Sequence, residues 1–145
     1  MPDEALIKIA AISGGKAIED AAVAWTMSLE RAAGRVPTDR RYERSFAADI
    51  ESPPRIIEIK ASAKSYRGWF LPLEPVQVER GRIDPKFYVY VVENVGQGDP
   101  TKFTLKVLHG EQLKRRLDRA LARTYYEVPW PVAEYDAAPT NLDPD

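Results

Sequence analysis

Asp49, Glu58 and Lys60 are the side chains whose types and spacing fit a reaction in this chain. Glu58 and Lys60 stand two positions apart in RIIEIKAS, residues 55–62, where Ile56, Ile57 and Ile59 mark a β-strand. Side chains two apart on a strand share a face, so the acid and the base project together while Ile57 and Ile59 point the other way. Asp49 belongs to the preceding segment, SFAADIE, which alternates weakly enough to predict a second strand, with ESPP as the turn between them. If the strands pair through that turn, Asp49 approaches the same end of the sheet as Glu58. Two carboxylates from neighbouring strands form a hard, oxygen-rich site of the kind that holds Mg²⁺ or Mn²⁺. Lys60 beside them would orient or deprotonate a water for attack on phosphorus, and the metal would stabilise the charge that develops. Such chemistry needs neither histidine nor cysteine. The same residues also fit a cross-strand ion pair on a solvated sheet face, worth well under about 1 kcal/mol. A second acid-x-lysine triplet, Asp84-Pro85-Lys86, reads as a turn.

The elements that must position these residues follow from periodicity. Ile18, Ala22, Trp25 and Leu29 recur at spacings of three and four and predict a helix over 16–33, stopped by Gly34 and Pro37. WFLPL, residues 69–73, reads as a short edge strand because Pro72 cannot donate to a ladder, and Pro75 opens a helical turn through Val76 and Val78. KFYVYVVENV, residues 86–95, is dense in β-branched and aromatic side chains and predicts a central strand. FTLKVLH predicts a further strand, and EQLKRRLDRALAR a helix with one stripe of Leu113, Leu117 and Leu121 and another of Arg115, Arg119 and Arg123. This order indicates an α/β (α+β) domain with a mixed central β-sheet flanked by helices, over residues 1–126. Residues 127–145, acidic and proline-rich, read as an extended tail.

Composition narrows the chemistry. The chain has no cysteine, which excludes a disulfide framework, a thiolate zinc site and a cysteine nucleophile, and suits a reducing compartment. His109 is the sole histidine, so no multi-histidine metal site can form, and it reads as structural. SGGKA lacks the earlier glycine of a phosphate loop and has Ala17 where magnesium needs Ser or Thr. Trp25, Trp69 and Trp130 read as core and tail anchors rather than a base-stacking platform. No apolar run reaches membrane-span length and the amino end, MPDEALIKIAA, lacks the pattern of a signal peptide, so the expectation is a cytoplasmic protein. A net charge of −1 gives no overall pull on nucleic acid. Two local clusters remain as phosphate contacts, Arg40, Arg41 and Arg44 with nearby Arg35, and Arg115 and Arg119 with their neighbours; each also fits a solvated face.

Asp49, then Glu58-Ile59-Lys60, after a helix that carries Glu19, resembles the core of the PD-(D/E)xK nuclease superfamily, the restriction endonuclease-like fold. More closely, AIEDAAVAWTMSLERAAGR, ADIES with RIIEIKAS, WFLPLEPVQ and KFYVYVVENV are similar to the NO VEIN carboxy-terminal domain, found also in bacterial restriction and defence proteins. The resemblance covers about residues 16–108. It implies that Asp49 and Glu58 are metal ligands, that Lys60 positions the attacking water and the scissile phosphate, and that Glu19 is an accessory acid. It also implies a supporting polar residue at Gln77, or at Glu74. Two departures stand out: Ala47-Ala48 occupy the place of the family's Gly-Tyr, which a strand would tolerate, and Pro72 stands where the family favours Thr.

Three functions are open on these grounds. The first is a Mg²⁺- or Mn²⁺-dependent nuclease, acting on DNA ahead of RNA in a defence or restriction system. The second is a non-catalytic nucleic-acid-binding module on the same fold. The third is a protein-interaction component whose contact is the acidic tail or Trp130. No helix-turn-helix, zinc finger or RNA-binding aromatic motif is present to read bases, so a homodimer or partner protein is expected to help hold the substrate.

Overall fold

The computed structural model describes residues 11–142; most of the amino-terminal stretch on which the signal-peptide reading rested lies outside them. Among the described residues, no helix is long and apolar enough to cross a membrane. Helix α1 runs Gly15–Ala32. It is followed by strands β1 (Thr38–Asp39), β2 (Ile50–Ser52) and β3 (Arg55–Ala61). Next come helix α2 (Pro75–Ile83), strands β4 (Phe87–Glu93) and β5 (Thr104–His109), and helices α3 (Gly110–Leu117) and α4 (Val132–Ala137).

The five strands form one mixed sheet in the order β1-β2-β3-β4-β5. β2 and β3 pair antiparallel through the Pro53–Pro54 turn, with Ile50 opposite Ile57 and Ser52 opposite Arg55. β3 and β4 are parallel, as a helical crossover through α2 requires, with Glu58 beside Val89 and Lys60 beside Val91. The run predicted as central is therefore an interior strand, and β3 itself is the middle one.

Alternation along the strands feeds two cores. Ile57, Ile59, Tyr90 and Val92 meet Ile18, Ala22 and Val23 of α1 on one face. Phe87, Val89 and Val91 meet Leu113 and Leu117 of α3 on the other, together with Val78 of α2. Mixed sheet and flanking helices agree with the architecture expected from sequence. Trp25 packs edge-on against Phe103, 5.5 Å between ring centroids, and is an anchor as expected. His109 stacks on Tyr88 and bonds the Pro85 carbonyl at 2.7 Å, a structural position.

Several elements differ from expectation, each for a physical reason. In SFAADIE the strand begins only at Ile50; Arg44–Phe46 form a 3₁₀ turn and Ala47 is left-handed, φ 56°. Ala47 thus lies in a turn, not a strand, and its Cβ costs about 1–2 kcal/mol there, which glycine would avoid. WFLPL is not a strand: the stretch is irregular, and Trp69 and Phe70 are exposed. Trp69 is therefore no core anchor. The helix predicted over 111–123 stops at Leu117, the last residue with a core to enter, and Leu121 is exposed. A helix of that length without burial does not sustain itself, so Arg119 and Arg123 share no helical stripe with Arg115. On α1, the position after Thr26 on the buried face is Glu30, only 2% exposed, gripped by Nε and Nη2 of Arg35 and by the Tyr90 hydroxyl at 2.9 Å. Burial opposes ionisation of Glu30, but Arg35 and Tyr90 together hold it below the usual carboxylate range.

Candidate functional site

The site lies where β2 stops and β3 continues. Antiparallel pairing of Ile50 with Ile57 sets Asp49 opposite Glu58, one step beyond the end of β2. Asp49 still donates its N–H to the Ile57 carbonyl at 3.0 Å, and its Oδ2 accepts from the Ile59 N–H at 2.7 Å. A side-chain oxygen thus takes the place of the missing strand. In a ladder both polar groups of one residue face the same neighbour, so the Ile59 carbonyl is turned to this same open edge. The next carbonyl on that edge, Ala61, accepts the Tyr66 hydroxyl at 2.8 Å.

Glu58 is 6% exposed, and its Oε2 lies 3.2 Å from Lys60 Nζ. These side chains open onto a cleft of about 600 Å³. Glu19, Gly14 and Gly15 bring the amino end of α1 to the opposite wall, and Tyr66 and Pro72 come from the loop after β3. Asp49, Glu58, Lys60 and Glu19 are thus brought to one cleft. Glu19 also pairs with Arg41 at 3.3 Å.

Electrostatics reflect the crowding. Burial pushes the Glu58 carboxyl up to about 7, helped by the Asp49 charge and opposed by Lys60. Burial likewise raises Asp49, and the Glu19 charge adds to this, while the Ile59 N–H pulls it down. The two carboxyls are within hydrogen-bonding reach, a contact that is attractive only when one carries a proton. The pair therefore holds a proton near neutrality unless a cation replaces it. A carboxyl raised in the fold contributes stability below its unfolded value, and that contribution is lost as pH rises through the folded value. In chelator, melting temperature is expected to fall between pH 5.5 and 8, by a free energy on the order of 2 kcal/mol. Glu58→Gln should flatten that slope and Mg²⁺ at pH 8 should restore the lost stability, both read by thermal denaturation. Carboxylates with lowered values, such as Asp20 and Asp39, titrate below this window.

Other residues proposed from sequence lie elsewhere. Gln77 is buried but turned to its own helix, where its Oε1 accepts the Glu74 N–H at 3.0 Å; neither residue lines the cleft. Arg40 is tied to Glu43 and Glu51, each at 2.8 Å. Arg41 grips Asp39 and Asp20 and braces β1 against α1. Arg44, Arg115 and Arg119 are exposed, and none of the five arginines lines the cleft. Lys86 of the second triplet donates its N–H to Asp84 within a turn. Sequence reasoning missed Gly14, Gly15 and Tyr66 as wall residues. The glycine pair ahead of a helix was the available signal, since helix amino-terminal amides lean positive.

Two hard carboxylates, a backbone carbonyl at an open strand edge and a cleft with room for water suit Mg²⁺ or Mn²⁺. Among the described residues, no group of three or more acidic or histidine side chains forms a fuller shell. A family model described as Protein NO VEIN, C-terminal, matches residues 18–105, from α1 into β5 and including Glu19, Asp49, Glu58, Lys60 and Gln77. No curated protein and no solved structure matches the chain.

Proposed function

We propose that this chain, which belongs to the NO VEIN carboxy-terminal family, is a metal-dependent nuclease that hydrolyses nucleic-acid phosphodiester bonds, DNA ahead of RNA. The observation that carries the reading is the half-buried Asp49 beside the buried Glu58, with Lys60 3.2 Å from Glu58, all lining one cleft. Two adjacent carboxylates cost stability until a cation neutralises them, so a fold that serves packing alone gains nothing from the arrangement. Asp49 and Glu58 would hold Mg²⁺ or Mn²⁺, which when bound supplies charge stabilisation at the reacting phosphate and acidifies water. Lys60, restrained by Glu58, donates hydrogen bonds to a non-bridging phosphate oxygen and orients the water for in-line attack. Glu19, half-exposed on the cleft wall, is placed to accept from a water entering the cleft. The restriction endonuclease-like core, a role in a defence or restriction system, cytoplasmic location and a homodimer or partner protein that helps grip DNA belong to the same proposal.

Calorimetry with Mg²⁺ beside a plasmid-nicking assay tests it. Wild type is expected to bind the ion and nick; absence of both would sink the reading. A second reading, a nucleic-acid-binding module without turnover, draws on the Glu58–Lys60 ion pair, which satisfies both side chains by itself. Steeply salt-dependent DNA binding without nicking would select it.

A further inference from the structure

We propose that Trp69 and Phe70 form a stacking platform for unpaired nucleotides beside the cleft, so that the chain prefers single-stranded or frayed nucleic acid, such as the unpaired stretches of a supercoiled plasmid, over fully paired duplex. The inference rests on the nucleic-acid reading above but not on turnover. Trp69 is 79% and Phe70 69% exposed, at the tip of the loop whose Tyr66 and Pro72 form the cleft wall. This tip is held firmly. The Tyr66 N–H and the Ser65 hydroxyl both donate to Glu93 Oε2, and the Tyr66 hydroxyl reaches the Ala61 carbonyl. Gly96 and Asn94 donate their N–H groups to the Ala63 and Lys64 carbonyls at 3.0 and 2.8 Å. A left-handed Gly68, φ 79°, lets the Trp69 N–H close on the Tyr66 carbonyl at 2.7 Å, and Leu71 and Leu73, half-buried, pack against the core just beyond.

Two large aromatics are thus kept in water by a rigid frame, although their neighbours on both sides are anchored. Order in advance of binding is what a stacking surface needs, because less freedom is lost when a base lands on it. Charge decides the class of occupant. Lys64 and Arg67 are exposed on the same loop, and Arg123 lies over the Phe70 ring at 5.5 Å. Among the described residues none of these three cations has an ion-pair partner. Aromatic faces interleaved with free cations fit bases and phosphates of a single strand.

Fluorescence anisotropy in chelator, with a labelled short oligothymidylate and a hairpin duplex of equal length, tests the platform on the full chain. Wild type is expected to favour the single strand about 10-fold, and Trp69→Ala to lose about that factor for the single strand alone. Trp69→Phe, which keeps a ring, should retain most of the affinity. A Trp69→Ala change within twofold, or an equal loss on both probes, overturns the platform. So does wild type that binds neither probe, which would assign the aromatics to a protein partner. Nicking that persists with Trp69-independent binding removes the platform and leaves the nuclease; Trp69-dependent binding without nicking does the reverse.

Discussion

Asp49→Asn is expected to melt about 3–6 °C higher than wild type in chelator at pH 8, while losing Mg²⁺ binding and nicking together. Asparagine keeps an oxygen for the Ile59 N–H, which Asp49 accepts at 2.7 Å, so the end of β2 stays tied to β3. Its amide nitrogen can donate to Glu58, replacing the contact that otherwise needs a proton. One half-buried negative charge disappears, and with it its repulsion of Glu58, for a gain of about 1–2 kcal/mol. An ion site that has lost one of its two carboxylates cannot hold Mg²⁺ against water. Thermal denaturation beside calorimetry checks both halves. A variant that melts lower than wild type would show Asp49 to be a structural carboxylate, and the functional reading would lose its main support.

Lys60→Ala is the second large effect: nicking at saturating Mg²⁺ should fall about 10³-fold, with Mg²⁺ affinity retained. The ammonium is the cation nearest the carboxylate pair, 3.2 Å from Glu58 and only 16% exposed. Its removal takes away the donor that orients water and phosphate but no metal ligand. Glu58 loses the charge that opposes its upward shift, so the metal-free variant should hold its proton to a higher pH. Lys60→Arg, which keeps the charge with a different shape, is expected to restore that titration and little of the cleavage. Equal nicking by Lys60→Ala and wild type would reduce the lysine to an ion-pair partner.

How much of this was legible in the sequence depends on the range over which each feature is decided. The strand period of two in RIIEIKA places Glu58 and Lys60 on one face whatever surrounds them, and the structure has them paired. The 3.6 period of α1 likewise marked Ile18 and Ala22 for the core. Errors arose where burial overrides propensity. Residues 119–123 are good helix formers but meet no core, and the helix ends before them. WFLPL has strand-forming residues but no strand to pair with, and it became an anchored loop with an exposed tip. β1, two residues long, has no period to detect.

The arginine clusters illustrate the same limit. Composition revealed Arg40 and Arg41 as free-looking cations, yet Glu43 and Asp39 close by in the chain neutralise them together with Glu51 on β2 and Asp20 on α1. Gln77 had the right chemistry and the wrong direction, since the amino end of α2 claims its side chain.

By itself, then, the sequence determined a mixed sheet with flanking helices, an acid and a lysine sharing a strand face, and an aspartate upstream; alternation and turn residues are local, and they held where packing buried the faces they marked. Tertiary structure alone decided that Asp49 stands opposite Glu58, because that depends on β2 ending one residue before the ladder does. It also decided that the pair is buried enough to hold a proton, that α1 closes the far wall of the cleft, and that Trp69 faces water. Those properties are set by desolvation and by neighbours distant in the chain, which no local pattern records.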